Sequence, residues 1–154
     1  MLSWEKRQTY PALFSPGFVS ISIDEIDAQF LSKVDTPVRK RMASNLRTFL
    51  MYLKRLGVRG DVWINGSFST MNPNPHDFDV LLVIPKVILS GLSDKNLIEL
   101  DELTKIENRG YVKSKWSCDL YVCDKSNLTM QRQFEITFSR NPDDAAKGIP
   151  VIKL

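Results

Sequence analysis

Asp77 and Asp79 stand on either side of Phe78 at the entrance to an apolar run that continues to Ile84, and a Gly66-Ser67 turn precedes them. In an extended chain alternate side chains share a face, so the two carboxylates point the same way, about 7 Å apart at Cα, while Phe78 and Val80 point into a packed layer. Two acids on one face repel unless a cation joins them. Magnesium meets that need as a hard ion that takes carboxylate oxygens together with phosphate oxygens and keeps some of its waters, so the implied substrate is a phosphate ester. A third acid completes a two-metal clamp. Asp119 supplies one from a second alternating stretch, Ser117-Cys118-Asp119-Leu120-Tyr121-Val122-Cys123. Gly66 lets the backbone approach a phosphate with no Cβ in the way, and Ser67 offers an N–H and a hydroxyl. Ser69 and Thr70 are further candidate nucleotide contacts, with bonding to their own turn as the alternative. His76, the sole histidine, reads as a solvent-facing turn residue, with contact to a phosphate or leaving group as the alternative. Lys113 and Lys115 reach triphosphate charge if their segment borders the site.

Strands at 61–65 and 78–84 are needed to present this turn and these acids, the second buried on both faces, and a third strand at 117–123 returns Asp119 to them. Tyr111-Val112-Lys113 reads as a partner strand or hairpin arm for that third strand, with Gly110 ending the element before it. The clearest helix starts at Thr36-Pro37, Thr36 as N-cap and Pro37 in the first turn where its missing N–H costs nothing. Val38, Met42, Leu46, Phe49, Leu50, Leu53 and Leu56 then recur at helical spacing as a core stripe, and Gly57 closes it. Ser22 with Glu25 forms a capping box for a short helix to about residue 32. Ser93 caps a helix to about residue 108, and Ser126 caps a last one to about residue 140. Residues 1–20 read as an extended arm against the body or a neighbouring subunit, and residues 21–154 as a single domain.

These residues resemble the nucleotidyltransferase superfamily related to DNA polymerase beta, whose signature is an apolar residue, Gly-Ser, a spacer, Asp-x-Asp and a third Asp on a later strand. The chain is similar in particular to minimal single-domain members from bacterial toxin-antitoxin and phage-defence loci, and to a group with Gly-Ser-Phe-x-Thr, Pro-x-Asp-x-Asp and Lys-Gly-Ile. The counterparts here are Gly66 to Thr70, Pro75 to Asp79, and Lys147-Gly148-Ile149. The resemblance implies an α/β fold of the α+β kind, a small mixed sheet flanked by helices in a palm-like arrangement. It implies two magnesium ions on Asp77, Asp79 and Asp119, a nucleoside triphosphate at Gly66 and Ser67, and transfer of a nucleoside monophosphate to a protein or RNA hydroxyl. Its alternative is an inactive antitoxin or structural subunit that grips a partner. One departure matters: the Arg of the Gly-Ser-x-Ala-Arg-Gly variant is absent, since Met71 follows Thr70 here.

A chain of 154 residues has room for one core but not for separate lobes to grip a base or a long acceptor. A protein partner or self-association is expected to supply that surface. The net charge of +3 is too small a bias to indicate RNA binding by itself. Between Val38 and Gly60, however, Arg39, Lys40, Arg41, Arg47, Lys54, Arg55 and Arg59 occur with no acid, either a solvated helix face or a patch for RNA or an acidic partner. Cys118 and Cys123 on one strand are about 16 Å apart on opposite faces, which excludes a mutual disulfide and fits a reducing compartment. No apolar run reaches the roughly 20 residues of a membrane span, so a cytoplasmic protein without membrane contact is expected.

Overall fold

The computed structural model describes residues 9–154, and the start of the expected N-terminal arm lies outside the described residues. Five strands, β1 (Gly17–Ile21), β2 (Asp61–Asn65), β3 (Phe78–Ile84), β4 (Cys118–Asp124) and β5 (Gly148–Lys153), form one mixed sheet in the order β1-β5-β2-β3-β4. The outer pairs β1/β5 and β3/β4 are parallel, and β2 runs antiparallel to both β5 and β3. The α+β class expected from the sequence is the one found.

The period of two along β3 divides the molecule. Phe78, Val80, Leu82 and Ile84 enter the larger core with α1 (Ile26–Leu31) and α2 (Pro37–Arg55), whereas Leu81 and Val83 enter a smaller core on the opposite face. The α2 stripe Met42, Leu46, Phe49, Leu50 and Leu53 is buried as its spacing dictates, and Thr36 Oγ1 accepts from the Arg39 N–H at 3.2 Å to cap the helix. Each such apolar side chain taken out of water contributes about 1.5–3 kcal/mol before chain entropy is counted, so this face anchors the domain. Three shorter helices, α3 (Lys86–Gly91), α4 (Asp94–Thr104) and α5 (Arg109–Trp116), complete that side, and α6 (Leu128–Phe138) lies on the other.

Several expectations are corrected. Tyr111, Val112 and Lys113 belong to α5 rather than to a strand, because Val112 and Trp116, four residues apart, are both buried on one helical face. Gly110 lies within that helix, which ends at Ser117 in the left-handed conformation, φ 58°. The last helix is capped by Asn127, whose side chain accepts from the Met130 N–H, while Ser126 donates N–H and hydroxyl to Asp124 Oδ1, both at 2.8 Å. The arm is also shorter than expected: β1 begins at Gly17 and pairs with β5 from there to Ile21. Its preceding part braces the body, with Leu13 and Phe14 buried and Met71 N–H donating to the Pro11 carbonyl at 2.9 Å. Cys118 and Cys123 are free and buried in the two different cores, as their odd spacing requires.

Candidate active site

The acids meet at one end of the sheet, on the face that α6 covers. Strand registry is responsible: Asp79 lies opposite Asn65 of β2 on one side and opposite Asp119 of β4 on the other. Asp77 shares their parity one step before β3. The three carboxylates expected from the sequence are therefore neighbours. Their repulsion, together with burial as the largest cause, pushes the Asp79 carboxyl up to about 6. A proton, an ammonium or a metal ion at this point relieves the same strain.

An ammonium is present. Lys113, projecting from α5, places its Nζ 2.8 Å from Asp77 Oδ2 and 3.3 Å from Asp119 Oδ2, and hydrogen bonding to Asp77 raises its pKa. Its side chain is 48% exposed, so this is a swinging arm at the rim rather than a packed strut. The sequence placed Lys113 on a strand, yet the helix delivers it to the acids because it follows the buried Val112. Lys115 points elsewhere, lying over the Trp116 ring at 4.6 Å.

A second lysine was not assigned a role from sequence. Lys147, immediately before β5, is 3% exposed, and burial pulls its pKa down to about 8 while the attraction of Asp79 opposes that fall. A lysine at the head of an otherwise apolar strand was the available signal. Asn65 was passed over too, although it closes β2 with the same parity as Trp63. Its Oδ1 is buried without a hydrogen-bond partner.

The glycine turn abuts the acids. Gly66 has φ 101°, and a Cβ on it would lie 3.2 Å from the Asp77 carbonyl and 3.3 Å from Phe78 Cα, so glycine serves both conformation and close approach. Ser67 is partly exposed, and its hydroxyl accepts from the His76 N–H at 3.3 Å. Ser69 and Thr70 do not present donors to this opening. The Ser69 hydroxyl is fully buried and its N–H donates to the Gly66 carbonyl, while Thr70 donates both N–H and hydroxyl to the Ser67 carbonyl. His76 is exposed, as its turn position suggested.

What holds the turn is Arg39, counted from the sequence among the basic residues of a helix face. It is wholly buried and donates five hydrogen bonds to four carbonyls: Phe30 (3.2 and 2.8 Å), Phe68 (2.9 Å), Thr70 (2.9 Å) and Asn72 (3.0 Å). Burial lowers its pKa to about 10, which leaves it charged at neutral pH. A planar fork with five donors satisfies several converging carbonyls at once, which a lysine does not.

The donor chemistry suits a hard cation, with three carboxylates on one face and an uncommitted amide oxygen beside them. Among the described residues, however, no three His, Cys, Asp or Glu side chains converge as a ready-made metal cage. Lys113 stands between two of the acids instead.

Fold and site together define a mixed α+β domain with an acid-lysine cluster at the end of its sheet, beside a glycine turn. By sequence the chain belongs to a family of unknown function, DUF6932, which it matches over residues 8–153. No curated protein and no solved structure matches it. Among the described residues no helix is long and apolar enough to cross a membrane.

Proposed function

We propose that this protein is a magnesium-dependent nucleotidyltransferase that moves a nucleoside monophosphate from a nucleoside triphosphate to a protein or RNA hydroxyl. The observation that carries the reading is the alignment of Asp79 with Asp119, with Asp77 beside them, around a cation next to Gly66 and Ser67. Asp77, Asp79 and Asp119 are the residues to hold magnesium, which when bound neutralises triphosphate charge and favours an ionised acceptor. The Ser67 hydroxyl and the Gly66–Ser67 backbone receive phosphate oxygens. Lys113 leaves the acids as the metal arrives and turns its ammonium to the triphosphate, while Lys147 holds positive charge next to Asp79. Asp119 takes the acceptor's proton, the hydroxyl oxygen forms a bond to the α-phosphorus, and the bond to pyrophosphate breaks.

A second reading has its own support. Lys113 already bridges Asp77 and Asp119 without a metal, as in a fold kept for gripping a partner protein or RNA and not for catalysis. The setting in a bacterial toxin-antitoxin or anti-phage module rests on resemblance alone. A cytoplasmic location is supported by two free, buried thiols.

Calorimetric titration with magnesium and a non-hydrolysable nucleoside triphosphate separates the two readings, comparing the parent with an Asp77→Ala, Asp79→Ala double variant. Metal-dependent binding that the double variant loses supports the transferase. A folded parent that binds no triphosphate with magnesium present overturns it in favour of the binding module.

A further inference from the structure

A cavity of about 300 Å³ opens beside the acids between the sheet and α6. Its floor is Asn65, Asp79 and Tyr121, and Gln133, Phe134, Thr137 and Phe138 of α6 form its other wall. Two features distinguish it from a packing fault. The first is the Asn65 side chain, 9% exposed, whose Oδ1 is fully buried with no donor to satisfy it. A buried amide oxygen left without a partner costs about 1–3 kcal/mol, so its retention at a cavity wall calls for a ligand that donates to it. The second is the aromatic lining. Tyr121 and Phe134 lie 5.2 Å apart, Phe134 and Phe138 5.4 Å apart, and the Tyr121 hydroxyl is already engaged by Arg109 at 2.7 Å, which leaves its ring as the contact surface.

We propose that this cavity is a base-binding subsite, that Asn65 reads the base, and that the base is adenine. The proposal deepens the transferase reading and rests on it for the phosphates, because Asp79 is common to the cavity wall and the acid cluster. A planar heterocycle is the chemistry an aromatic slot accepts. Its hydrogen-bonding edge must offer a donor to the buried Asn65 Oδ1 and an acceptor to the amide nitrogen. Adenine does so with its exocyclic amine and an adjacent ring nitrogen, the bidentate pattern by which asparagine reads adenine elsewhere. Guanine and uracil bring a carbonyl oxygen to that position and set acceptor against acceptor. Cytosine carries the same edge as adenine but a single ring, leaving more of the slot unfilled. A base seated here directs its phosphates past Asp79 toward Ser67 and the two lysines.

The test is equilibrium binding of adenosine, cytidine, guanosine and uridine monophosphates, and separately of magnesium tripolyphosphate, to the full chain and two variants. Asn65→Leu removes the reading amide. Thr137→Phe places a ring in the cavity from an exposed position on α6, where a fold defect is not expected. Adenosine monophosphate should bind about tenfold or more tighter than the guanosine and uridine compounds, the discrimination one bidentate amide contact supplies. Both variants should lose that preference and still bind magnesium tripolyphosphate as the parent does. Equal affinity for all four monophosphates, or an undiminished adenine preference in folded Thr137→Phe, overturns the subsite. If tripolyphosphate binds and no base is preferred, the transferase reading survives and the subsite falls. If adenosine monophosphate binds through Asn65 while tripolyphosphate fails with magnesium, the subsite stands and the transferase reading falls.

Discussion

Replacing Asp79 with asparagine should stabilise the protein at neutral pH and abolish its response to magnesium. Burial, then the charges of Asp77 and Asp119, raise the Asp79 carboxyl from an ordinary 3.8 to about 6, even with Lys113 and Lys147 pulling the other way. At about 1.4 kcal/mol for each pH unit, keeping Asp79 ionised in the fold costs about 3 kcal/mol at pH 7. The sign follows from proton counting. Between pH 4 and pH 6 the folded chain holds this proton more tightly than the unfolded chain, so the Asp79 contribution to stability falls as pH rises through that window. Above it the cost is constant, and below it the carboxyl is neutral in both states. Urea unfolding of parent and Asp79→Asn at pH 4, 5, 6 and 7.5 should show curves that converge at the acid end and separate to about 2–3 kcal/mol at the neutral end. Magnesium added at pH 7.5 should narrow the gap by stabilising the parent alone. A variant that is less stable at every pH, or a gap that does not change with pH, would refute the electrostatic account of the site.

Lys113→Met leaves Asp77 and Asp119 without their ammonium. Because that lysine is half exposed, the loss without divalent ions should be small, about 1 kcal/mol or less. Magnesium should then raise the melting temperature of Lys113→Met more than that of the parent, and an equal rise in both would show that lysine and metal do not compete. Arg39→Met should cost about 3–5 kcal/mol in urea unfolding, since four buried carbonyls lose their donors. Hydrogen exchange should locate the damage at residues 67–72, and protection there as strong as in the parent would show that Arg39 does not hold the turn.

How much of this was legible in the sequence depended on whether the signal was local. The strands at 61–65 and 78–84 and the helix after Thr36 follow from a period of two, a period of 3.6 and a proline-marked start, so they appear where expected. Tyr111-Val112-Lys113 misled because β-branched and aromatic residues favour strands, whereas the deciding contact is Trp116, one helical turn beyond Val112. Asp79 and Asp119 could be named from their motifs, but their direct opposition is a property of the β3/β4 register, which no local pattern sets. Arg39 was invisible as a buried residue for a related reason. Its acceptors are backbone carbonyls nine to 33 positions away, and a carbonyl has no sequence signature.

The division of labour between the two faces of the sheet explains why the acids are tolerated. The α2 face holds the larger core, with Phe49, Leu50, Leu53, Phe68 and Phe78 fully buried, and Arg39 locks the Gly66 turn from that same side. Stability is concentrated there. The α6 face carries the smaller core and ends in a cluster whose charges oppose one another, with a buried lysine and an unpaired amide beside them. Each of these features lowers the stability of the free chain, and each is relieved by a polyanionic, cation-bearing ligand with a donor edge. A domain with a well-packed opposite face can retain such an arrangement, since the cost falls on a region that need not hold the fold together. Binding of that ligand should therefore tighten α6 and the ends of β2 and β4 while leaving α2 unchanged in hydrogen exchange. Uniform protection across the whole chain would mean that the two faces act as one cooperative unit.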